Sequence, residues 1–312
     1  MPTGFITHPI YWQHETGAGH PEAPTRLTVI RDHLIQTGLS AHLTLIEPTR
    51  RADLHDWIAR VHTASYYNTL QQIPSRGYGN LDPDTPFAPM SLDAASMATS
   101  GLLMALDQVM MGALTNAFCA LRPPGHHAMA DRAMGFCLIN HVAVGARYLQ
   151  KQHACNRILI VDWDAHHGNG TQALFYDDPT VFYFSTHQYP FYPGTGARSE
   201  RGTGEGEGAT CNCPLAAGSG DKEILQQMEK MLVPAMTEFR PDFVLISAGF
   251  DAHRDDPLAQ LDVTEDGFTE MTRLVKSLAE THCHGRMVSV LEGGYHPIAL
   301  AQSVGHHLEA LL

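Results

Sequence analysis

The 312-residue chain is short of positive charge and has no long hydrophobic run. It carries 20 Lys and Arg residues against 33 Asp and Glu, which gives a formal net charge of −13. No basic stripe is present, which argues against nucleic acid as a direct partner. No apolar stretch approaches the ~18 residues of a transmembrane helix, and the N-terminus lacks the features of a signal peptide. We therefore expect a cytoplasmic protein with no membrane partner.

Cysteine and several catalytic motifs are also scarce or missing. The six cysteines are expected to be free thiols if the protein is cytoplasmic. The motifs H-E-x-x-H and G-x-S-x-G do not occur, which disfavours a zincin and a serine hydrolase. The glycine-rich segment 202–208 carries two glutamates and no Gly-Lys-Ser/Thr, unlike a phosphate-binding loop. Histidine, by contrast, is abundant at 20 residues, which points to metal or proton chemistry.

Short apolar runs, typical of strands buried on both faces of a parallel sheet, alternate with helical segments. The predicted strands are 117–121, 158–161, 181–184, 243–246 and 287–291. The predicted helices are 24–36, 63–72, 91–111 (with Ser91 as N-cap), 141–152, 221–237, 265–280 and 297–312. The segment 77–89, rich in Pro, Asp and Gly, is predicted to be an exposed loop. The alternation indicates one doubly wound α/β domain over residues 1–312.

Polar side chains follow every predicted strand at the point where it ends. In strand order they are His126 and His127, then Asp162, Asp164 and His166, then His187, then Asp251, and finally Tyr295. Parallel sheets hold ligands at the carboxyl ends of their strands, so these side chains are expected to meet at one rim. Two carboxylates and an imidazole, from Asp164, His166 and Asp251, suit Zn²⁺, Fe²⁺ or Co²⁺. The tandem His126-His127 would supply a general base, and the Tyr295 phenol could donate to an oxyanion.

Each motif also has a structural interpretation. Asp164 and His166 could form a hydrogen-bonded turn, and Tyr295 could belong to an ordinary Gly-Gly turn. A histidine pair is often a surface feature, which is the interpretation we prefer for His306-His307, and His167 is expected to be structural. Convergence of five strand ends on one rim favours the functional interpretation for the others.

Taken together, the motifs resemble the zinc-dependent histone deacetylase family, which has the arginase–deacetylase fold. The matching segments are Arg122-Pro-Pro-Gly-His-His-Ala128, Gly135-Phe-Cys137, Asp162-Trp-Asp-Ala-His-His-Gly-Asn-Gly-Thr171, Pro193-Gly-Thr-Gly196, Ala248-Gly-Phe-Asp251 and Leu291-Glu-Gly-Gly-Tyr295. Asn169, where many class I members carry Asp, resembles the class II branch, which includes bacterial deacetylase-like amidohydrolases and acetylpolyamine amidohydrolases. The resemblance implies a single-domain three-layer αβα fold with a mainly parallel central sheet.

The resemblance also implies a role for each matching residue. Asp164, His166 and Asp251 would bind one Zn²⁺ per chain, with Fe²⁺ or Co²⁺ as alternatives. His127 would be the general base and acid and His126 its electrostatic companion, oriented by Asn169 and Asp162 respectively, and Tyr295 would be the oxyanion donor. The substrate would contact Phe136, Tyr192 (where the family usually has Phe), Gly135, Gly294 and, at the rim, Asp84.

Monovalent cations are implied in the same way. An inner K⁺ or Na⁺ would be bound by the carbonyls of Asp162, Asp164, His166 and Thr186 and by the Ser185 hydroxyl. An outer one would involve Phe175, Asp178 and Val181.

The expected reaction is hydrolysis of an N-acyl amide, most simply N-acetyl-lysine in a protein or peptide, to an amine and a carboxylate. One alternative is an acetylpolyamine deacetylase, with the same chemistry on a small acetylated amine. The other is an acyl-lysine-binding module without turnover, which Tyr295 argues against because binding alone needs no oxyanion donor. An arginase-like ureohydrolase would need more Asp ligands than this rim offers. The residues favour neither a monomer nor an oligomer.

Overall fold

The structure, a computed structural model, describes residues 2–312 and is built around a parallel sheet of eight strands. Their spatial order is β2-β1-β5-β10-β9-β6-β7-β8. The bounds are β1 Thr3–Ile6, β2 Leu43–Ile46, β5 Asn116–Cys119, β6 Ile158–Asp162, β7 Val181–Gln188, β8 Thr210–Leu215, β9 Phe243–Ala248 and β10 Met287–Leu291. The short strands β3 Gly79–Asp82 and β4 Thr85–Phe87 form a separate antiparallel pair.

Helices cover both faces of this sheet. Their bounds are α1 Thr25–Gln36, α2 Leu54–Ile58, α3 Ala64–Gln71, α4 Ile73–Arg76, α5 Ser91–Met110, α6 His141–Gln152, α7 Asn169–Leu174, α8 Asp221–Gln227, α9 Val233–Phe239, α10 Glu265–Cys283 and α11 Pro297–Leu311. Helix α11 packs between α1 and α10, whereas α5 packs on α6. The predicted α/β fold with a parallel central sheet is thereby confirmed. Within residues 2–312, no helix is both long and apolar enough to cross a membrane.

The register of the central strands brings the polar strand ends together. Asp162 at the end of β6 lies opposite Ser185 on β7 and Ser247 on β9. Leu291 at the end of β10 lies opposite Ala248, the last residue of β9. The loops after β6, β9 and β10 therefore leave the sheet side by side, which is the rim that the sequence predicts.

Three local predictions are wrong. The predicted loop 77–89 contains the β3–β4 pair, in which Thr85 and Phe87 are buried. Ser91 is not the N-cap of α5 but its first residue, and its hydroxyl accepts from the N–H of Ala88 at 2.8 Å. The predicted helix 221–237 extends to residue 239 and has a wide turn at Met228–Leu232 between α8 and α9.

The prediction that His306 and His307 form a surface pair is wrong for His307. Its ring is fully buried between α10 and β10, where Nδ1 lies 2.7 Å from the Thr272 hydroxyl and Nε2 lies 2.9 Å from that of Ser289. Burial lowers the pKa of His307 to about 3. The ring therefore stays neutral in the folded protein at a pH at which the unfolded chain would protonate it. The six cysteines are free thiols, as predicted.

Buried His307 is expected to reduce stability in acid. The unfolded chain takes up a proton near pH 6.5 that the folded protein excludes, so the free energy of unfolding falls with pH below that value. For this residue alone the loss between pH 7 and pH 5 is about 2 kcal/mol. In His307→Gln that pH-dependent loss should shrink accordingly when urea unfolding is measured at both pH values. His306→Gln, at a neighbour whose side chain is 39% exposed, is the control, and an equal change in both variants would refute the assignment.

Candidate active site

Three ligand atoms from Asp164, His166 and Asp251 cluster at the rim, all within 4.8 Å of one another. The imidazole Nδ1 of His166 lies 2.8 Å from Asp251 Oδ2 and 3.3 Å from Asp164 Oδ1. Both carboxylates are buried, and their ion pairs are with imidazoles, those of His126 and His166. The structure thus brings together the three residues that the sequence predicts as ligands.

The electrostatics of this cluster suit a divalent cation. Burial disfavours a charged ring, but the carboxylates of Asp164 and Asp251 outweigh it and raise the pKa of His166 to about 10. Burial and the charge of Asp164 raise the pKa of Asp251 to about 7. Two buried carboxylates with one imidazole are a mixed oxygen and nitrogen donor set of the kind that binds zinc and other first-row metals. The residues present therefore fit a divalent ion.

The two adjacent histidines have different partners. His126 Nδ1 lies 3.0 Å from the carboxylate of Asp162. Burial disfavours the charged form of His126, but Asp162, Asp164 and Glu292 outweigh that cost and raise its pKa well above the usual value. We infer that His126 carries a positive charge that the surrounding carboxylates stabilise, an assignment that the sequence leaves open.

His127 has a neutral partner instead. Its Nδ1 lies 2.8 Å from Asn169 Oδ1, while the Asn169 amide nitrogen contacts the sulfur atoms of Met129 and Met134. Because an amide oxygen only accepts, Nδ1 carries the hydrogen, and Nε2 of the neutral ring is left as a proton acceptor. Burial and the neighbouring rings of His126 and His166 lower the pKa of His127 well below its usual value. The surroundings of His127 thus favour a neutral ring with a free Nε2.

Two of these groups, the rings of His127 and His166, line a cavity of about 230 Å³. The residues that line it are Asp84, His127, Gly135, Phe136, His166, Phe191, Tyr192, Leu258 and Tyr295. Phe136 meets the Tyr295 ring edge-on at 5.9 Å, and Phe191 stacks on His166 at 5.2 Å. The lining is therefore largely aromatic and also includes the two imidazoles of His127 and His166. Phe191 and Leu258 belong to no motif, and the sequence analysis missed them.

The predicted substrate contacts Gly135, Asp84 and Tyr192 all line this cavity. Gly135 has a φ of +56°, and a Cβ atom there would overlap the ring of His127, so the position requires glycine. The Asp84 carboxylate accepts from the Gly135 N–H at 3.0 Å. Tyr192, 38% exposed, meets the His127 ring edge-on at 5.3 Å. The β3–β4 pair thereby positions one side of the entrance.

The turn that carries Tyr295 is fixed by hydrogen bonds from side chains to three consecutive residues, Gly293, Gly294 and Tyr295. The Gly293 N–H donates to Asp164 Oδ2 at 2.8 Å, and the Gly294 carbonyl accepts from the Arg26 Nε at 2.7 Å. The Tyr295 N–H donates to Asp256 Oδ2 at 2.7 Å. Arg26 also lies over the Tyr295 ring, with its guanidinium carbon 5.1 Å from the ring centre. The phenol is thus directed into the cavity by a constrained backbone.

A buried charge network behind the site was also missed by the sequence analysis. Glu22, fully buried, accepts from Arg122 at 2.8 Å and from Arg26 at 3.2 Å. Glu292 accepts from the N–H groups of Gly125 and His126 at 2.7 and 3.1 Å. Arg122 and Glu292 fall inside the motifs quoted above, but only the contacts give these two residues, and Glu22 and Arg26, a role.

The residues predicted to bind monovalent cations fall in two places. Asp162, Asp164, Ser185 and Thr186 are buried around the paired ends of β6 and β7, with His166 beside them. The Ser185 hydroxyl lies 2.8 Å from His187 Nδ1. Phe175, Asp178 and Val181 lie between α7 and β7, where Asp178 pairs with Arg147 at 2.6 Å. His167 bonds to Thr195 and Gln172, in line with a structural role.

Comparison with known proteins identifies the family. A family model described as the histone deacetylase domain matches residues 20–311. The chain belongs to the histone deacetylase family. The match confirms the family resemblance seen in the sequence. It also confirms the fold and the hydrolase class that the resemblance implies.

Relatives carry several names. A probable deacetylase of Archaeoglobus fulgidus is 43% identical over 297 residues, which cover 95% of this chain and 82% of the relative. A histone deacetylase-like amidohydrolase of Pseudomonas aeruginosa is 38% identical over 284 residues (91% and 74%). The human polyamine deacetylase HDAC10 is 36% identical over 304 residues (93% and 44%). The crystal structure of the HDA15 HD domain superposes with a TM-score of 0.94 at 36% identity, covering 99% of this chain and 88% of that one.

The neutral partner of His127 generates a prediction about pH. In Asn169→Asp, a carboxylate would accept from Nδ1 and stabilise the imidazolium, which raises the pKa of His127. The acidic limb of the kcat/KM profile should therefore move to higher pH, with a larger loss of rate at pH 6 than at pH 8. Asn68→Asp, an exposed site on α3, controls for the added charge. An unchanged limb in Asn169→Asp would show that His127 is not the titrating base.

Proposed function

We propose that a single domain comprising residues 1–312 hydrolyses N-acetylated amines, with N-acetyl-lysine in proteins or peptides as the principal substrate. The observation that carries the proposal is the cavity of about 230 Å³. Its aromatic lining suits an aliphatic stem, and the same lining includes the imidazole of His127, the ring of His166 from the candidate metal-binding triad, and the phenol of Tyr295. If the acyl group of the substrate enters first and the aliphatic stem follows it, the amide would reach all three groups.

His127 supplies the proton transfers. Its free Nε2 would remove a proton from the attacking water, and the resulting imidazolium would protonate the leaving amine. Asn169 keeps the ring oriented throughout through the Nδ1 hydrogen bond of 2.8 Å. The positive charge of His126, whose ring is oriented by Asp162, would stabilise the negative charge that develops on the reacting amide. The Tyr295 phenol would donate a hydrogen bond to the oxygen of the former carbonyl.

Asp164, His166 and Asp251 would hold one divalent ion, which we propose is Zn²⁺, with Fe²⁺ or Co²⁺ as alternatives. When bound, such an ion supplies Lewis-acid polarisation of the amide carbonyl and lowers the pKa of an attacking water. The chain's own contribution is to fix the ligands. The Ala165 N–H donates to Asp251 Oδ1 at 2.8 Å, and the His166 N–H donates to Asp164 Oδ1 at 2.8 Å.

The lining of the cavity favours lysine over a polyamine. A polyamine carries at least one further ammonium group, at the end of its stem or along it, which needs carboxylates to replace its hydration. Of the lining residues, Asp84 alone has a carboxylate, and it already accepts from Gly135. The net charge of −13 attracts both kinds of cationic substrate and does not separate them. The polyamine alternative remains an outcome of the test below.

We also propose a structural K⁺ or Na⁺ near the ends of β6 and β7, bound by the carbonyls of Asp162, Asp164, His166 and Thr186 and by the Ser185 hydroxyl. The register that sets buried Asp162 opposite buried Ser185 supports this site. An outer cation near Asp178 is proposed on the resemblance. The six free thiols support a reducing, cytoplasmic location.

A substrate panel tests the function. The metal-loaded protein is expected to deacetylate an acetyl-lysine peptide with a higher kcat/KM than it shows for acetylputrescine, measured side by side as released acetate. A higher value for acetylputrescine would establish the polyamine alternative. Binding of the peptide without turnover on either substrate would establish the binding module and contradict the proposal.

The metal site predicts the behaviour of Asp251→Ala. The variant loses one of three ligands and should bind less than one equivalent of Zn²⁺ after dialysis, whereas a merely catalytic defect would leave the metal content unchanged. Metal analysis of the purified protein is the measurement. Asp255→Ala, at a nearby side chain that is 62% exposed, is the matched control. Full occupancy in Asp251→Ala would place the ion elsewhere.

A further inference from the structure

Asp256 is a buried carboxylate that joins two walls of the cavity and that no motif picks out. Its side chain is 6% exposed, in the loop after β9. Oδ2 accepts from the Tyr295 N–H at 2.7 Å, and Oδ1 accepts from the Leu258 N–H at 2.9 Å. Tyr295 follows β10 and Leu258 follows β9, and both line the cavity. One carboxylate therefore ties the two segments together.

A buried carboxylate is a costly way to bond two backbone groups. Removing the charge from water is strongly unfavourable unless charge-assisted hydrogen bonds offset the loss of hydration. Such bonds are short and directional, and they hold a donor more firmly than a neutral acceptor would. Asp256 uses both oxygens in this way, and Asp251 and Asp164 lie close enough to add repulsion. A carboxylate buried at that cost is expected to control the position of the groups that it binds.

Tyr295 needs such control because its turn begins with two glycines. Gly294 has a φ of +122°, in a region that side chains rarely adopt. The ring is limited by Phe136 and Arg26, but the Cα position depends on the peptide groups on each side. Arg26 holds the preceding carbonyl, and Asp256 holds the Tyr295 N–H itself.

We propose that Asp256 is a positioning residue for the reaction: by fixing the backbone of Tyr295 it places the phenol hydroxyl at the carbonyl oxygen of the amide, while the hydrogen bond from the Leu258 N–H anchors the carboxylate itself. The inference rests on the proposed deacetylation. Asp256 acts through Tyr295 and does not touch the reacting atoms. Its effect on the rate should therefore depend on the Tyr295 hydroxyl being present.

A double-mutant cycle tests this dependence. Tyr295→Phe is expected to lower kcat by ~10²–10³-fold, as for loss of one oxyanion donor. Asp256→Ala should lower kcat by at least about 10-fold with little change in KM, because a misplaced donor loses transition-state contact. In the Tyr295→Phe background, Asp256→Ala should lower kcat by less than about 3-fold further. Multiplicative losses would overturn the proposal.

Controls separate positioning from general damage. Asp256→Asn keeps one acceptor oxygen and should recover part of the lost kcat. Asp255→Ala, at the exposed neighbour, should leave kcat unchanged. Rates are expressed per equivalent of bound Zn²⁺, so that loss of metal or of folded protein does not count as loss of positioning. Equal defects in Asp256→Asn and Asp256→Ala, with normal metal content, would count against a hydrogen-bonding role.

Hydrogen exchange gives a readout that needs no turnover. The Tyr295 and Leu258 amides should exchange slowly in the wild type and much faster in Asp256→Ala, while the Leu245 amide in β9 stays protected. Undiminished protection of Tyr295 in the variant would refute the positioning role. Absence of any deacetylation by the wild type would instead refute the proposed function, and the exchange experiment would still decide the role of Asp256.

Discussion

Burial of carboxylates at the carboxyl end of the sheet is the constraint on which the site depends. Such a group is stable only when charged or polar partners replace its hydration. Asp164 accepts from the Gly293 N–H, Asp251 from the Ala165 N–H and Glu292 from the Gly125 N–H, at 2.7–2.8 Å. The loops that follow β5, β6 and β10 are therefore held by acidic side chains of neighbouring loops. The groups proposed to bind the metal also stabilise the rim.

This arrangement also explains why the turn after β10 begins with glycine. A Cβ atom on Gly293 would lie 2.6 Å from Asp164 Oδ2, inside the contact distance of real atoms. Close approach of the backbone to the ligands thus excludes any side chain there. The flexibility that glycine brings is then removed from outside the turn, by Arg26 on the carbonyl of Gly294 and by Asp256 on the N–H of Tyr295. Rigidity at the phenol comes from residues distant in sequence.

The sequence predicts the features that have a local signal. Buried apolar runs identify β5, β6, β7, β9 and β10, and the polar residues at their ends identify the rim. Strand β8 gives a weaker signal because it contains Pro214 and a buried Asn212, whose amide donates to Gln172 at 2.6 Å. Features that depend on residues far apart in the sequence are not predicted, because the sequence does not show which of those residues are in contact. His307 is buried by contacts with α10 and β10, and Asp256 acquires its role only when β10 returns beside β9.

His126 and His127 show most clearly why a motif alone does not define a mechanism. The two residues are adjacent and chemically identical, and their rings are 4.0 Å apart. Asp162 and Glu292 favour a proton on His126, whereas Asn169 offers His127 an amide without charge. Once His126 is charged, its field further disfavours a second proton on His127. The protonated form is thus favoured at one histidine and disfavoured at the other by residues 36 and 42 positions away, and the different roles proposed for the two rings depend on the fold rather than on the motif.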